Sequence, residues 1–211
     1  MKLLFAHGWG FDRNFWNDVA MLLPEWEHLR DDRGYFGEPI PPQDELGEEL
    51  GPCIAVTHSF GTMRILANPP PGLAGLVAIN GFERFTALPG KPGVPTRVVD
   101  LMLRQFDRDP RSVVEEFRGR VGCDEPFGEI DPAPLRADLL RLRDAQPPLP
   151  GVPVLVLHGA CDPLLPETMR EACFPGTDAR RLQHETAGHL LPLEDPQLCA
   201  QAVRGMAALV S

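Results

Sequence analysis

A serine, an aspartate and a histidine stand at well-separated points of this chain, each in a loop that follows a candidate strand. Ser59 lies in Thr57-His58-Ser59-Phe60-Gly61, Asp162 in His158-Gly159-Ala160-Cys161-Asp162-Pro163, and His189 in Thr186-Ala187-Gly188-His189. Together they supply the groups that acyl transfer through a serine requires. A serine hydroxyl is a weak nucleophile near neutral pH. An adjacent imidazole activates it, and a carboxylate fixes the tautomer of that imidazole. The oxyanion needs two fixed N–H donors. Phe60 is one candidate, because it follows the serine at a helix N-terminus, where unpaired N–H groups and the helix dipole favour negative charge. Trp9, in His7-Gly8-Trp9-Gly10, is the other, with Gly8 and Gly10 permitting the backbone that turns its N–H inward.

Taken singly, each residue has a plainer reading. Ser59 suits a helix N-cap, Asp162-Pro163 suits a turn or cap, and a lone histidine is most often structural. Thr57 also stands where the nucleophile elbow G-x-S-x-G has its first glycine. The elements that must position these residues decide between the readings. Short apolar runs alternate with helical patterns, which predicts a parallel sheet flanked by helices. The strands are expected at Lys2–Ala6, Glu27–Asp31, Cys53–Thr57, Leu76–Asn80, Val152–Leu157 and Ala179–Gln183. The helices are expected at Phe11–Leu23, Asp44–Glu49, Ser59–Ala67, Pro166–Cys173 and Pro196–Val210, the last docking through Leu198, Ala202, Met206 and Leu209.

Ligands of open parallel sheets bind at the carboxyl ends of the strands. Ser59, Asp162 and His189 each follow a strand, so all three fall at that edge, in the order Ser…Asp…His. His184 and His58 are rival bases. His184 sits at the end of its strand and His58 diverges from Ser59 across a sharp turn, so His189 is preferred. Asp144 and Glu185 are less well placed than Asp162. Trp9, with Asn80 and Phe82 after the fourth strand, is expected to line the acyl site.

The alternation breaks between Gly81 and Pro150. Amphipathic segments near Arg97–Phe106, Arg111–Arg120 and Pro134–Asp144 predict a helical insertion above the sheet edge. Residues 1–81 and 150–211 would form the core, and 82–149 a cap. The chain has 211 residues and a formal net charge of −10, yet the stretch from Arg84 to Asp144 holds 11 cations and 11 anions. An acidic body of this kind excludes nucleic acid as a partner. The five cysteines are widely spaced without a C-x-x-C pair, so neither zinc nor a disulfide framework is expected. No metal or organic cofactor is required. Met1 leads straight into the apolar run Lys2–Ala6, with no signal-peptide pattern and no membrane-spanning stretch, so a cytoplasmic monomer is the expectation.

These residues together resemble the α/β-hydrolase superfamily. The resemblance runs through His7-Gly8-Trp9-Gly10, Asp31-Asp32-Arg33-Gly34-Tyr35-Phe36-Gly37, His58-Ser59-Phe60-Gly61, the Asp162 loop, and Gly188-His189 followed by Glu194-Asp195-Pro196. It implies a compact six-stranded, mostly parallel member without the antiparallel strands that many members place first. The chain is most similar to the pimeloyl-[acyl-carrier protein] methyl ester esterases of biotin synthesis. The oxyanion loop followed by Asn14-Phe15-Trp16 carries that similarity, with Leu88-Pro89-Gly90-Lys91-Pro92-Gly93 and the cap helices after it. It implies a serine carboxylesterase acting on a carrier-bound ester. A broad short-chain esterase, a thioesterase and a non-catalytic binding module are the alternatives. It would also give Arg97, Arg104, Arg108 and Arg111, with Arg118 and Arg120 in the next helix, a role in receiving an acidic acyl carrier protein. The competing reading pairs them with Asp100, Asp107, Asp109, Glu115 and Glu116. The Thr57 departure predicts an elbow remodelled around that side chain.

Overall fold

The computed structural model describes residues 1–40 and 51–211. The expected helix Asp44–Glu49 lies outside the described residues. Six strands form one sheet: β1 (Lys2–Ala6), β2 (Glu27–Asp31), β3 (Cys53–His58), β4 (Leu73–Ile79), β5 (Val154–Gly159) and β6 (Arg180–His184). Their order is β2-β1-β3-β4-β5-β6, and every pairing is parallel. β3 and β5 are buried along their whole length, as strands covered on both faces must be.

Helices cover both faces. α1 (Asn17–Met21), α7 (Leu191–Glu194) and α8 (Pro196–Val210) lie on one side, where Leu3, Phe5, Trp16, Val203 and Met206 share a core. On the other side Leu4, Leu29, Leu66, Val156 and Phe174 pack together beneath α2 (Phe60–Ala67) and α6 (Glu167–Ala172). Leu3 and Phe5 face one layer while Leu4 and Ala6 face the other, the two-residue alternation of a strand.

Three differences from the sequence expectations have local causes. β5 starts at Val154, two residues late, because Pro153 has no N–H to donate and enters the sheet only through its carbonyl, which accepts from Leu76 at 3.0 Å. The expected single helix Phe11–Leu23 divides into a 3-10 turn, Arg13–Trp16, and α1, with Trp16 at φ −97° and ψ 3° between them. In α8 the buried stripe runs through Cys199, Val203 and Met206, and Val210 joins Met206 over Gly75 of β4. Leu209 falls off that stripe and is 43% exposed.

Between β4 and β5 the chain forms α3 (Thr96–Phe106), α4 (Pro110–Arg120) and α5 (Pro132–Asp144). Val99, Phe106, Val114, Leu135 and Leu139 from these helices close over Trp9, Phe60 and Phe82, making an apolar layer above the carboxyl ends of the strands. Asp-Pro pairs start α4, α5 and α8 in the same way. The aspartates Asp109, Asp131 and Asp195 accept from N–H groups of the first turn, and the prolines occupy helical positions that need no donor. That is why α5 begins at Pro132 and not at Pro134. Among the described residues, no helix is long and apolar enough to cross a membrane.

Candidate active site

β3 ends in a sharp turn into α2. Ser59, at that turn, has φ 51° and ψ −124°, a sparsely populated backbone state held by its surroundings. Its N–H donates to Ile79 O at 3.1 Å, and its carbonyl accepts from Thr62 N at 3.0 Å. Although Ser59 occupies the N-cap position of α2, its hydroxyl caps no backbone N–H. The hydroxyl instead lies 3.0 Å from His189 Nε2. His189 Nδ1 donates to Asp162 Oδ2 at 2.7 Å. A continuous hydrogen-bonded line therefore joins residues from the ends of β3, β5 and β6.

The turn requires a close approach of α2 to β1. A Cβ at Gly61 would stand 2.4 Å from Ala6 O and 2.7 Å from His7 O, so only glycine fits there. Position 57, where the elbow motif has its other glycine, holds a buried threonine. Its Oγ1 donates to Val77 O at 3.2 Å and lies 2.7 Å from Thr62 Oγ1, which can donate to it in turn. The extra side chain is thus absorbed into a hydroxyl pair spanning the elbow. Thr57→Val keeps the shape but strands the Thr62 hydroxyl. It should cost about 1–2 kcal/mol of stability in chemical denaturation. An unchanged midpoint would mean that the pair contributes nothing.

Asp162 shows how one Asp-Pro pair differs from the other three. Its Oδ1 accepts from the N–H groups of Leu164 and Leu165 at 2.8 and 3.1 Å, in the manner of a cap. Oδ2 is left for His189 and for the Asn80 amide, also at 2.7 Å. Burial alone would raise this carboxyl. The facing His189, the Leu164 N–H and the Asn80 amide outweigh burial and bring it down to about 2. The acid is a carboxylate at any working pH.

The rival bases have other duties. His184 Nδ1 accepts from Thr186 N and Ala187 N at 3.3 and 3.0 Å, bracing the turn that carries His189. His58 Nε2 donates to the His189 carbonyl at 2.9 Å, and its ring stacks on Phe15 at 4.5 Å. Burial, and then the neighbouring His189, hold His58 well below the usual imidazole range, so it stays neutral. Of the rival acids, Asp144 and Glu185 are both exposed.

Phe60 follows Ser59 in the chain, and Trp9 follows Gly8, which packs against the serine turn. Among the described residues neither backbone N–H has a protein acceptor. A Cβ at Gly8 would come within 2.8 Å of His58 Nδ1 and 3.2 Å of Ser59 Cβ, so glycine lets the β1 loop touch the serine turn. The loop is clamped from above: Trp9 Nε1 donates to Leu135 O at 2.9 Å, and Arg118 donates to Gly10 O at 2.9 Å. Trp9 and Phe82 lie in the apolar layer under α3–α5. Asn80, expected beside the acyl site, is buried like Trp9 and Phe82, and its amide turns to Asp162 and to the Gly188 carbonyl.

Sequence reasoning missed several supports: the two leucine N–H groups on Asp162, the Arg118 bond to the β1 loop, and Glu194, whose carboxylate accepts from Gly188 N at 2.9 Å. Only Glu194 left a signal, as part of the Gly188-His189…Glu194-Asp195-Pro196 run.

The insertion arginines separate into two groups. Arg97, Arg104 and Arg108 are exposed and spaced to share one face of α3 and the residues just after it. Two of the five anions expected to neutralise them are taken by α5: Asp100 pairs with Arg143 and Asp107 with Arg136, each at 2.6 Å, while Asp109 caps α4. Among the described residues Arg97, Arg104 and Arg108 make no ion pair. Arg111 pairs with Glu115 at 3.0 Å, and Arg118 is buried beside Phe11 and Phe127, away from any docking face. A groove of about 330 Å³ between α3 and α4 has Val98, Leu101, Met102 and Phe117 among its lining, together with the charged side chains Glu116 and Arg120.

The alpha/beta hydrolase family profile matches residues 3–202, nearly the whole chain. The chain belongs to the alpha/beta hydrolase family. Within it, the chain is 26% identical over 197 residues to the pimeloyl-[acyl-carrier protein] methyl ester esterase of Pectobacterium carotovorum, covering 78% of this chain and 77% of that one. It is 24% identical over 219 residues to the enzyme of the same name from Serratia marcescens, covering 84% and 83%. Among solved structures, an esterase from Exiguobacterium antarcticum superposes with a TM-score of 0.82 at 19% identity, over 99% of this chain and 92% of the other. A thermophilic esterase from Thermogutta terrifontis gives 0.72 at 21% identity, over 100% and 90%. These two share the family's fold.

Proposed function

We propose that this hydrolase is a serine carboxylesterase that works through an acyl-enzyme. The hydrogen-bonded line from Ser59 through His189 to Asp162 carries the reading. His189 Nε2 takes the hydroxyl proton as Ser59 Oγ attacks the ester carbonyl. The Trp9 and Phe60 N–H groups receive the oxyanion. On collapse the carbonyl carbon–alkoxy bond breaks, and His189 passes the proton to the departing alcohol. Water then attacks the acyl-enzyme with His189 as base, releasing the acid and restoring Ser59. Asp162 stays ionised throughout and holds the imidazole in the tautomer that leaves Nε2 free to accept. Residues 82–149 serve as the cap, and the acyl chain lies in the apolar layer near Trp9 and Phe82.

The preferred substrate in this reading is pimeloyl-[acyl-carrier protein] methyl ester, the ester named for the Pectobacterium and Serratia relatives. The support from this chain is its charge layout. An acidic carrier would be repelled by a body of net charge −10 unless a locally basic face received it. Arg97, Arg104 and Arg108 form such a face, with Arg111 at its end. Reversing Arg104 and Arg108 to glutamate should raise KM for a carrier-bound methyl ester roughly tenfold. KM for a small soluble ester should stay unchanged. Equal behaviour of the two substrates would remove the carrier from the account and leave a broad short-chain carboxylesterase.

A further inference from the structure

Asn80 is a buried polar residue to which the mechanism above gives no task. It follows β4 with φ 46°, in the left-handed region that asparagine enters more readily than most residues. Its backbone N–H donates to Leu157 O of β5 at 2.8 Å. Its side chain reaches the acid: Nδ2 donates to Asp162 Oδ2 at 2.7 Å and to Gly188 O at 3.2 Å. Both neighbours can only accept, so the amide must present its NH2 group to them. Its Oδ1 is then buried without a partner, an arrangement that costs stability. A residue chosen for packing alone would not carry that cost.

The oxygen that Asn80 reaches is the one that accepts from His189. Gly188, which the same amide also holds, is the residue before His189. We propose that Asn80 is a positioning residue of the active site, tying the acid to the loop that carries the base and moderating how strongly Asp162 holds the imidazolium. The inference rests on the roles given above to Ser59, His189 and Asp162.

Other ionisable groups meet this cluster from three elements. His58 of β3 donates to the His189 carbonyl, His158 of β5 donates to Gly81 O at 3.0 Å, and Glu194 of α7 accepts from Gly188 N. Burial lowers both imidazoles, His58 well below its ordinary value and His158 to about 4, and it is the largest influence on each. Both stay neutral around neutral pH. Neither ring then sets the acidic limb of kcat/KM. With the Asn80 donor removed, the full charge of Asp162 falls on the imidazolium, and that limb should move to higher pH.

Two variants test this in the whole protein. Asn80→Gly keeps the left-handed backbone and removes the amide. Asn80→Asp keeps the size but sets a second carboxylate against Asp162, so that the two must share a proton. Both should lower kcat for a small ester about tenfold or more with little change in KM. The glycine variant should also shift the acidic limb upward by roughly half a pH unit. Parental kcat and a parental limb in a folded variant would overturn the proposal, and so would a loss of thermal stability alone. Should the glycine variant not fold, the aspartate variant decides on kcat and KM. Fluorophosphonate labelling of the parent separates the two levels. If Ser59 does not label, the mechanism itself fails. If it labels and the Asn80 variants match the parent, only this inference fails.

Discussion

Ser59→Ala is expected to leave a folded protein whose ester hydrolysis falls by about 10⁵-fold or more. The side chain is small, and its hydroxyl makes a hydrogen bond to His189 alone, so its loss strands no other buried group. Alanine at φ 51° bears the same backbone strain as serine, so the elbow neither tightens nor relaxes. The thermal midpoint should therefore stay close to that of the parent while turnover of a small chromogenic ester disappears. The residue of catalysis over water would come from the Trp9 and Phe60 N–H groups and from binding. Substantial remaining turnover in the folded variant would place the nucleophile elsewhere.

Asp162→Asn should be nearly as damaging, lowering kcat by about 10⁴-fold. The leucine N–H groups demand an acceptor, so an asparagine would direct its oxygen to them and its NH2 toward His189 Nδ1 and Asn80 Nδ2. Donor would then face donor. His189 could relieve this only by moving its proton to Nε2, the atom that must accept from Ser59. The lowered acid constant of Asp162 also makes a stability prediction with a definite sign. Its contribution is present above the unfolded carboxyl range near 4 and is lost as pH falls toward about 2. Asp162→Asn should accordingly lessen the acid sensitivity of folding between those limits. Chemical denaturation of parent and variant across that range checks the sign, and a parental kcat in the variant would refute the tautomer argument.

The sheet was legible because its four inner strands, β1, β3, β4 and β5, are largely apolar runs, while the edge strands β2 and β6 are polar and were legible only by their spacing. Two of the boundaries that moved have a local cause: Pro153 delayed β5, and Asp131-Pro132 advanced α5. The catalytic candidates were legible by position, since parallel strands deliver their loops to one edge. Their supports were not. Asp162-Pro163 is indistinguishable in sequence from Asp109-Pro110, Asp131-Pro132 and Asp195-Pro196. Its place after β5, with no helix starting at Pro163, and the meeting of His189 and Asn80 at its second oxygen set it apart. Asn80 was legible as a residue just after a strand, but not the left-handed backbone there or the bond from its amide to the acid. Thr57 was legible as an irregularity, while the Thr62 hydroxyl that accommodates it lies five residues further on, in α2. The arginines show a different limit. Sequence proximity suggested that Asp100 and Asp107 would neutralise their own helix, whereas α5 supplies their partners across space.

The central claim is that Ser59 forms a covalent acyl-enzyme, and labelling of the intact protein by a fluorophosphonate addresses it most directly. The account predicts one adduct per chain, on the peptide that contains Ser59, formed in step with loss of esterase activity and absent from His189→Ala at matched exposure. Full esterase activity in unlabelled protein after prolonged exposure, or an adduct on any other residue, would contradict it.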